Sequence, residues 1–169
     1  AENYPQHIAL PRGCLDAAQD LLRENAIRCD LRDERNAGEL IDVRFVGTLR
    51  ADQEAAVAAM LHYDVGVLCA PTAFGKTVAA AAMIARRGVN TLVLVHRTEL
   101  LKQWQERLQA FLGVGKGVVG TIGGGKAKAT GKIDIAVMQS LSRKDEISEL
   151  IENYGQVIVD ECHHLSAFS

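Results

Sequence analysis

Val65-Gly66-Val67-Leu68-Cys69-Ala70-Pro71-Thr72-Ala73-Phe74-Gly75-Lys76-Thr77 reads as a short buried strand, a tight loop and a helix that begins at Lys76-Thr77. The apolar run Val78 to Ala85 carries that helix forward. Backbone N–H groups at a helix N-terminus converge on a concavity where the helix dipole adds partial positive charge, the layout of a phosphate-binding loop. In such a loop Pro71, Thr72, Ala73, Phe74 and Gly75 line the cradle. Lys76 reaches the β- and γ-phosphates, and the Thr77 hydroxyl ligates Mg²⁺. The general pattern is G-x-x-x-x-G-K-[ST]; here Ala70 replaces its first glycine, while Gly75-Lys76-Thr77 is intact.

The chain has 169 residues, enough for one domain with a real core and a small appendage. Its 48% hydrophobic and 24% charged content is ordinary for a soluble globular protein. Charges interrupt every apolar run before it reaches membrane-spanning length, so no membrane association is expected. The N-terminus, Ala1-Glu2-Asn3-Tyr4-Pro5, lacks the basic and apolar regions of a signal peptide. Cys14, Cys29, Cys69 and Cys162 are scattered without a C-x-x-C pair, which points to a reduced, cytoplasmic protein whose cysteines pack inside. A net charge of -2 neither demands nor excludes nucleic acid; binding would need a local basic surface.

Working outward from the loop, residues 1–46 read as a small α+β subdomain with no evident catalytic group. Its pattern is a strand at His7–Leu10, a helix from Cys14 to Asn25, and alternating strands at Ile27–Leu31 and Leu40–Phe45. Asp52 to His62 is a further helix, and the alanine-rich helix after Lys76 closes at Gly88 behind Arg86-Arg87. Thr91–Val95 is a continuous apolar run, as in a strand buried on both faces of a parallel sheet. Leu100, Leu101, Trp104, Leu108 and Phe111 mark one helix face, which makes Trp104 a core residue. Val118–Ile122 and Ile133–Val137 are strands joined by a flexible basic loop carrying Lys126, Lys128 and Lys132, solvated charges or nonspecific phosphate contacts. A last helix, through Ile147, Leu150, Ile151 and Tyr154, precedes the strand Val157-Ile158-Val159, which ends in Asp160-Glu161. Strands alternate with helices throughout, so the class is α/β with a mainly parallel sheet and helices on both faces.

A strand ending in Asp-Glu is a weak signal alone, but about 85 residues after a phosphate loop it gains weight. Asp160 would hold Mg²⁺ through water opposite Thr77, and Glu161 would polarise the water that attacks the γ-phosphate. Adjacent Cys162, His163 and His164 cannot converge tetrahedrally on zinc, so a zinc site is not expected.

The ordered set of motifs resembles the first RecA-like domain of a superfamily 2 helicase or translocase over residues 46 to 165. Arg50-Ala51-Asp52-Gln53 is similar to the adenine-reading glutamine motif, and Ala70 to Thr77 to motif I, where this superfamily often has alanine first. Val95-His96-Arg97-Thr98-Glu99-Leu100 is similar to motif Ia, and Val137-Met138-Gln139-Ser140-Leu141 to the Ib/Ic region that contacts the strand. Asp160-Glu161-Cys162-His163 resembles a DEAD/DEAH box in DECH form; with His164-Leu165 it is nearest the branch of xeroderma pigmentosum B-type helicases and type III restriction subunits.

The resemblance implies a RecA-like ATPase lobe over 47–169 that uses ATP and Mg²⁺. Arg50 and Gln53 would recognise adenine, His163 would couple the nucleotide to a second lobe, and Arg97, Thr98 and Gln139 would contact nucleic acid, DNA in preference. Thr98 can also cap its helix. Two departures stand out. Ala73 occupies a position where the family usually has glycine, at a cost of about 1 kcal/mol if the backbone there has positive φ. The sequence also ends at Ser169, before motif III, whose strand in the family lies between the phosphate-loop and Asp-Glu strands, and before the second RecA-like lobe. The expected function is therefore the N-terminal motor lobe of an ATP-dependent DNA helicase or translocase, inactive on its own. The alternatives are an RNA helicase and a non-catalytic nucleic-acid-binding or scaffold module with a degenerate loop. Oligomeric state is not indicated.

Overall fold

The computed structural model describes residues 2–3, 5, 8–10, 12–33, 35–123, 128–138 and 150–163. The chain divides into two compact units, residues 1–35 and 36–169. In the first, β1 (Glu2–Asn3) pairs antiparallel with β2 (Ile8–Ala9), and a 3-10 turn at Arg12–Cys14 leads into α1 (Leu15–Glu24). No residue of α1 is buried, and Ile27 and Leu31 are exposed in irregular chain, so the strand expected at 27–31 does not form.

The second unit begins at residue 36, eleven residues before residue 47, the start of the second domain expected from the sequence. Residues 40–45 are extended without being a strand. Val43 is buried and Ile41 and Phe45 are partly so, but among the described residues the only pairing is the isolated bridge Leu40–Val89. The Ile41 N–H donates to Gly88 O, the Asn90 N–H to Glu39 O and the Val46 N–H to Phe111 O. The alternation in the sequence is real; its partners are a helix end and a turn, so no ladder grows.

The sheet contains β4 (Val119–Ile122), β5 (Ile133–Val137), β3 (Thr91–Val95) and β6 (Gln156–Val159), in that spatial order and all parallel. Every residue of β3 and β5 is buried, which explains their near-continuous apolar sequence. On one face Val93, Val95, Ile135 and Val137 pack with Ile84 of α3 (Lys76–Arg87) and with Leu101, Trp104 and Leu108 of α4 (Thr98–Leu112). The other face, from Leu92, Leu94 and Ala136, is covered by Leu150, Ile151 and Tyr154. The alanines of α3 keep that helix slim enough to be enclosed on several sides: Ala80 and Ala81 meet the first cluster, while Ala79 and Ala82 meet Val57 of α2 (Ala51–His62).

Polar anchors lock this frame. Asn90 is 2% exposed. Its Oδ1 accepts from the Glu39 and Gly155 N–H groups, and its Nδ2 donates to Asn153 O and Gly131 O. Fully buried Asp134 accepts from the Thr130 and Gly131 N–H groups and from the Tyr154 hydroxyl. Burial, reinforced by this carboxylate, pushes the Tyr154 phenol above its ordinary range. The same anchors hold residues 128–131: Lys128 and Thr121 exchange backbone hydrogen bonds, so the returning arm of the basic loop is pinned to β4.

Two further expectations fail. The segment 65–69 pairs with no described strand, and Val65 and Val67 are 65% and 76% exposed. β6 is the last strand on its side, and among the described residues none lies beyond it to hydrogen-bond the phosphate-loop segment. Apolar composition without a neighbouring ladder does not make a strand. Nor are the four cysteines packed: all are free thiols on the surface.

Candidate functional site

In a parallel sheet all C-terminal ends point the same way, and the crevice outside them is where open α/β sheets take ligands. His96-Arg97 follow β3 and Asp160-Glu161 follow β6 at that end. The phosphate-loop residues meet them there.

The loop bends through two left-handed positions, Ala73 at φ 65 and Gly75 at φ 87. Gly75 is the N-cap of α3, so the orphan N–H groups of the first turn open onto the loop. A Cβ on Gly75 would lie 2.7 Å from Gln53 Nε2, which makes glycine obligatory there for both torsion and space. Gln53 is 3% exposed and braces the loop: its Nε2 donates to Phe74 O at 2.6 Å, while its Oε1 accepts from the Arg50 N–H at 2.9 Å. Arg50 Nη2 donates to the same Phe74 carbonyl at 3.0 Å, with the guanidinium 5.8 Å from the Phe74 ring centroid. Arg50 and Gln53 thus meet at the loop, 21 to 24 residues downstream.

Lys76 Nζ lies 2.9 Å from Glu161 Oε1. This ion pair joins the first turn of α3 to the end of β6, and it brings together the basic and acidic residues singled out in the sequence. The hydrogen bond from Lys76 holds the Glu161 carboxyl below its ordinary range; the nearby charges of His163 and His96 act in the same direction. The same bond raises the Lys76 ammonium, with Asp160 adding to the effect. Both groups are therefore charged near neutrality. His163 Nδ1 lies 3.5 Å from Glu161 Oε2. Glu161 itself has φ 52, a left-handed conformation that a side chain rarely adopts, and such strain gathers at functional sites.

Thr77, the residue after Lys76, is buried, and Asp160 precedes Glu161. Hydroxyl and carboxylate are the hard oxygen donors Mg²⁺ prefers. No cluster of three or more metal-ligating side chains occurs among the described residues.

Arg97 and Thr98 are exposed at the end of β3. Arg97 occupies the N-cap of α4 and Thr98 its first turn, with no side-chain capping bond, so the expected Thr98 cap is not made. Gln139 lies outside the described residues, as do His164 and Lys126. The helical phase correctly places Trp104 in the core, but it gives no sign that the indole Nε1–H donates to Asp160 Oδ2 at 3.0 Å.

Among known proteins, residues 47–169 match the family model described as type III restriction enzyme, res subunit. The DNA 3'-5' translocase XPB2 of Sulfurisphaera tokodaii is 33% identical over 117 residues, covering 69% of this chain and 25% of that protein. The DNA 3'-5' helicase XPB of Mycobacterium tuberculosis is 30% identical over 125 residues, covering 70% and 23%. The chain thus spans about a quarter of these relatives. In structure, the UvsW helicase from bacteriophage T4 superposes with a TM-score of 0.65 at 18% identity, over 91% of this chain and 62% of that one, a likeness of fold.

Proposed function

Since the chain belongs to the family of the type III restriction enzyme res subunit, we propose that residues 47–169 form the N-terminal RecA-like ATPase lobe of a DNA helicase or translocase. The observation that carries this reading is the 2.9 Å contact between Lys76 of the phosphate loop and Glu161 of the acidic pair. Its two partners come from segments 85 residues apart. Each is the residue type required on its side of a γ-phosphate.

In this reading ATP enters between the loop and the end of β6. Lys76 leaves Glu161 for the β- and γ-phosphates, and the N–H groups of the first turn of α3 cradle them. The exchange frees the Glu161 carboxylate, already held in its basic form, to orient the attacking water and take its proton. Thr77 and Asp160 would hold Mg²⁺, which when bound supplies neutralising charge to the phosphates. Arg50, whose guanidinium lies exposed against Phe74, and Gln53 would serve adenine, so the residues that brace the loop would also register the base. In the DECH form of the acidic box, His163, whose Nδ1 lies 3.5 Å from Glu161 Oε2, would pass the state of the nucleotide to a second lobe. Arg97, Thr98 and Gln139 serve the phosphate backbone of the nucleic acid, without base readout.

The test is Lys76→Ala in the longer protein that carries this lobe. Nucleic-acid-stimulated ATP turnover should disappear; normal turnover would refute the mechanism. Comparing stimulation by double-stranded DNA, single-stranded DNA and RNA separates a DNA motor from an RNA helicase. Absence of mant-ATP binding would favour a non-catalytic module.

A further inference from the structure

We propose that Trp104 is a positioning residue for Asp160, a role that rests on the ATP-site reading above. Trp104 is 4% exposed and sits in the core between α4 and the sheet, where phenylalanine would satisfy the apolar packing. Indole brings one polar atom, Nε1–H, which is a donor only and needs an acceptor once buried. It finds Asp160 Oδ2, 56 residues away, at 3.0 Å.

The bond runs from the rigid core to the end of β6. There Asp160 is also tied through its own N–H to Leu94 O of β3 at 2.9 Å. Main chain and carboxylate are thus both fixed, and the plane of the carboxylate is set from inside the protein. The bond engages one of the two carboxylate oxygens and has a charged acceptor, which makes it strong and directional. An outer hydrogen bond of this kind orients a metal-holding carboxylate, and its loss typically lowers metal affinity about ten- to hundredfold. Trp104 touches neither nucleotide nor metal in this scheme; it acts through Asp160.

Trp104 is the only tryptophan, so its indole N–H gives a single resonance in a ¹⁵N–¹H spectrum. Asp160→Asn, which replaces the charged acceptor by a neutral amide, should move that resonance upfield. Adding Mg²⁺ to the chain with ADP should shift it together with the amides of Gly75, Lys76 and Thr77. In Trp104→Phe, the Mg²⁺ concentration that half-shifts the Thr77 amide should rise about tenfold or more, with binding of metal-free ADP unchanged. An indole resonance indifferent to Asp160→Asn overturns the proposal even if Trp104→Phe does not fold. Loop amides that respond to Mg²⁺ with equal midpoints in the wild type and Trp104→Phe overturn it while leaving the ATP site intact. Loop amides that respond to neither ADP nor Mg²⁺ overturn the site reading and this role with it.

Discussion

Replacing Ala73 with glycine should stabilise the protein. Ala73 has φ 65, where an L-residue brings its Cβ against the following carbonyl. That conformation costs roughly 1–2 kcal/mol relative to the right-handed helical region. Glycine removes the strain but enlarges the unfolded ensemble, which returns about 0.4–1 kcal/mol. The balance is a net gain of about 0.5–1 kcal/mol. For a chain of this length it corresponds to a rise in Tm of about 1–4 °C. Urea unfolding followed by the fluorescence of Trp104, which belongs to the same compact unit, should show a higher midpoint with an unchanged slope. Ala58→Gly, on the exposed face of α2, is the opposite control and should destabilise by about 1 kcal/mol. An Ala73→Gly midpoint equal to or below the wild type, with the control behaving normally, would refute the strain argument.

Gly75→Ala meets both a φ of 87 and a Cβ 2.7 Å from Gln53 Nε2, so it should destabilise by at least about 1–2 kcal/mol and displace the Gln53 brace. Loss of mant-nucleotide binding in a still-folded variant checks it. Asn90→Ala strands the N–H groups of Glu39 and Gly155 and should cost about 2–4 kcal/mol, read from urea midpoints. The Lys76–Glu161 pair gives a pH signature. Glu161 is lowered from 4.5, so its contribution is present above that pH and fades as pH falls through the lowered value. Lys76 is raised from 10.5, so its share is present below that pH and lost above the raised value. The stability difference between wild type and Glu161→Gln should therefore diminish at both pH extremes. It should stay below about 1 kcal/mol, because both side chains are more than a third exposed.

Local chemistry was legible wherever it decides structure by itself. The unbroken Thr91–Val95 run is the buried centre of a parallel sheet, and Gly88 ends α3 in a left-handed cap at φ 63. The loop, its brace and the acidic pair converge because each is bound to a strand or helix end that the periodicity located. What the sequence concealed was the identity of partners. Val65 to Cys69 and Ile27 to Leu31 have the composition of strands, but the described residues supply them no neighbour. Leu40 to Phe45 alternates because it lies on Gly88–Asn90 and Phe111. Trp104 was placed by its phase, but phase describes a face and not the atom at its end. The cysteines misled because burial is a tendency of the residue type, and these four are on the surface.

β6 has one further consequence. Its far side offers a row of backbone donors and acceptors with no described strand upon it, and Gln156-Val157-Ile158-Val159 carries no charge. Such an edge is a template for stacking against a second copy. The first charges along it are Asp160 and Glu161, at the very end of the strand. Both are engaged elsewhere, Glu161 by Lys76 and Asp160 by Trp104, so the paired stretch itself has no charge to oppose in-register growth. A charge placed on the edge, as Val157→Lys at a position 37% exposed, should raise the concentration at which light scattering first rises.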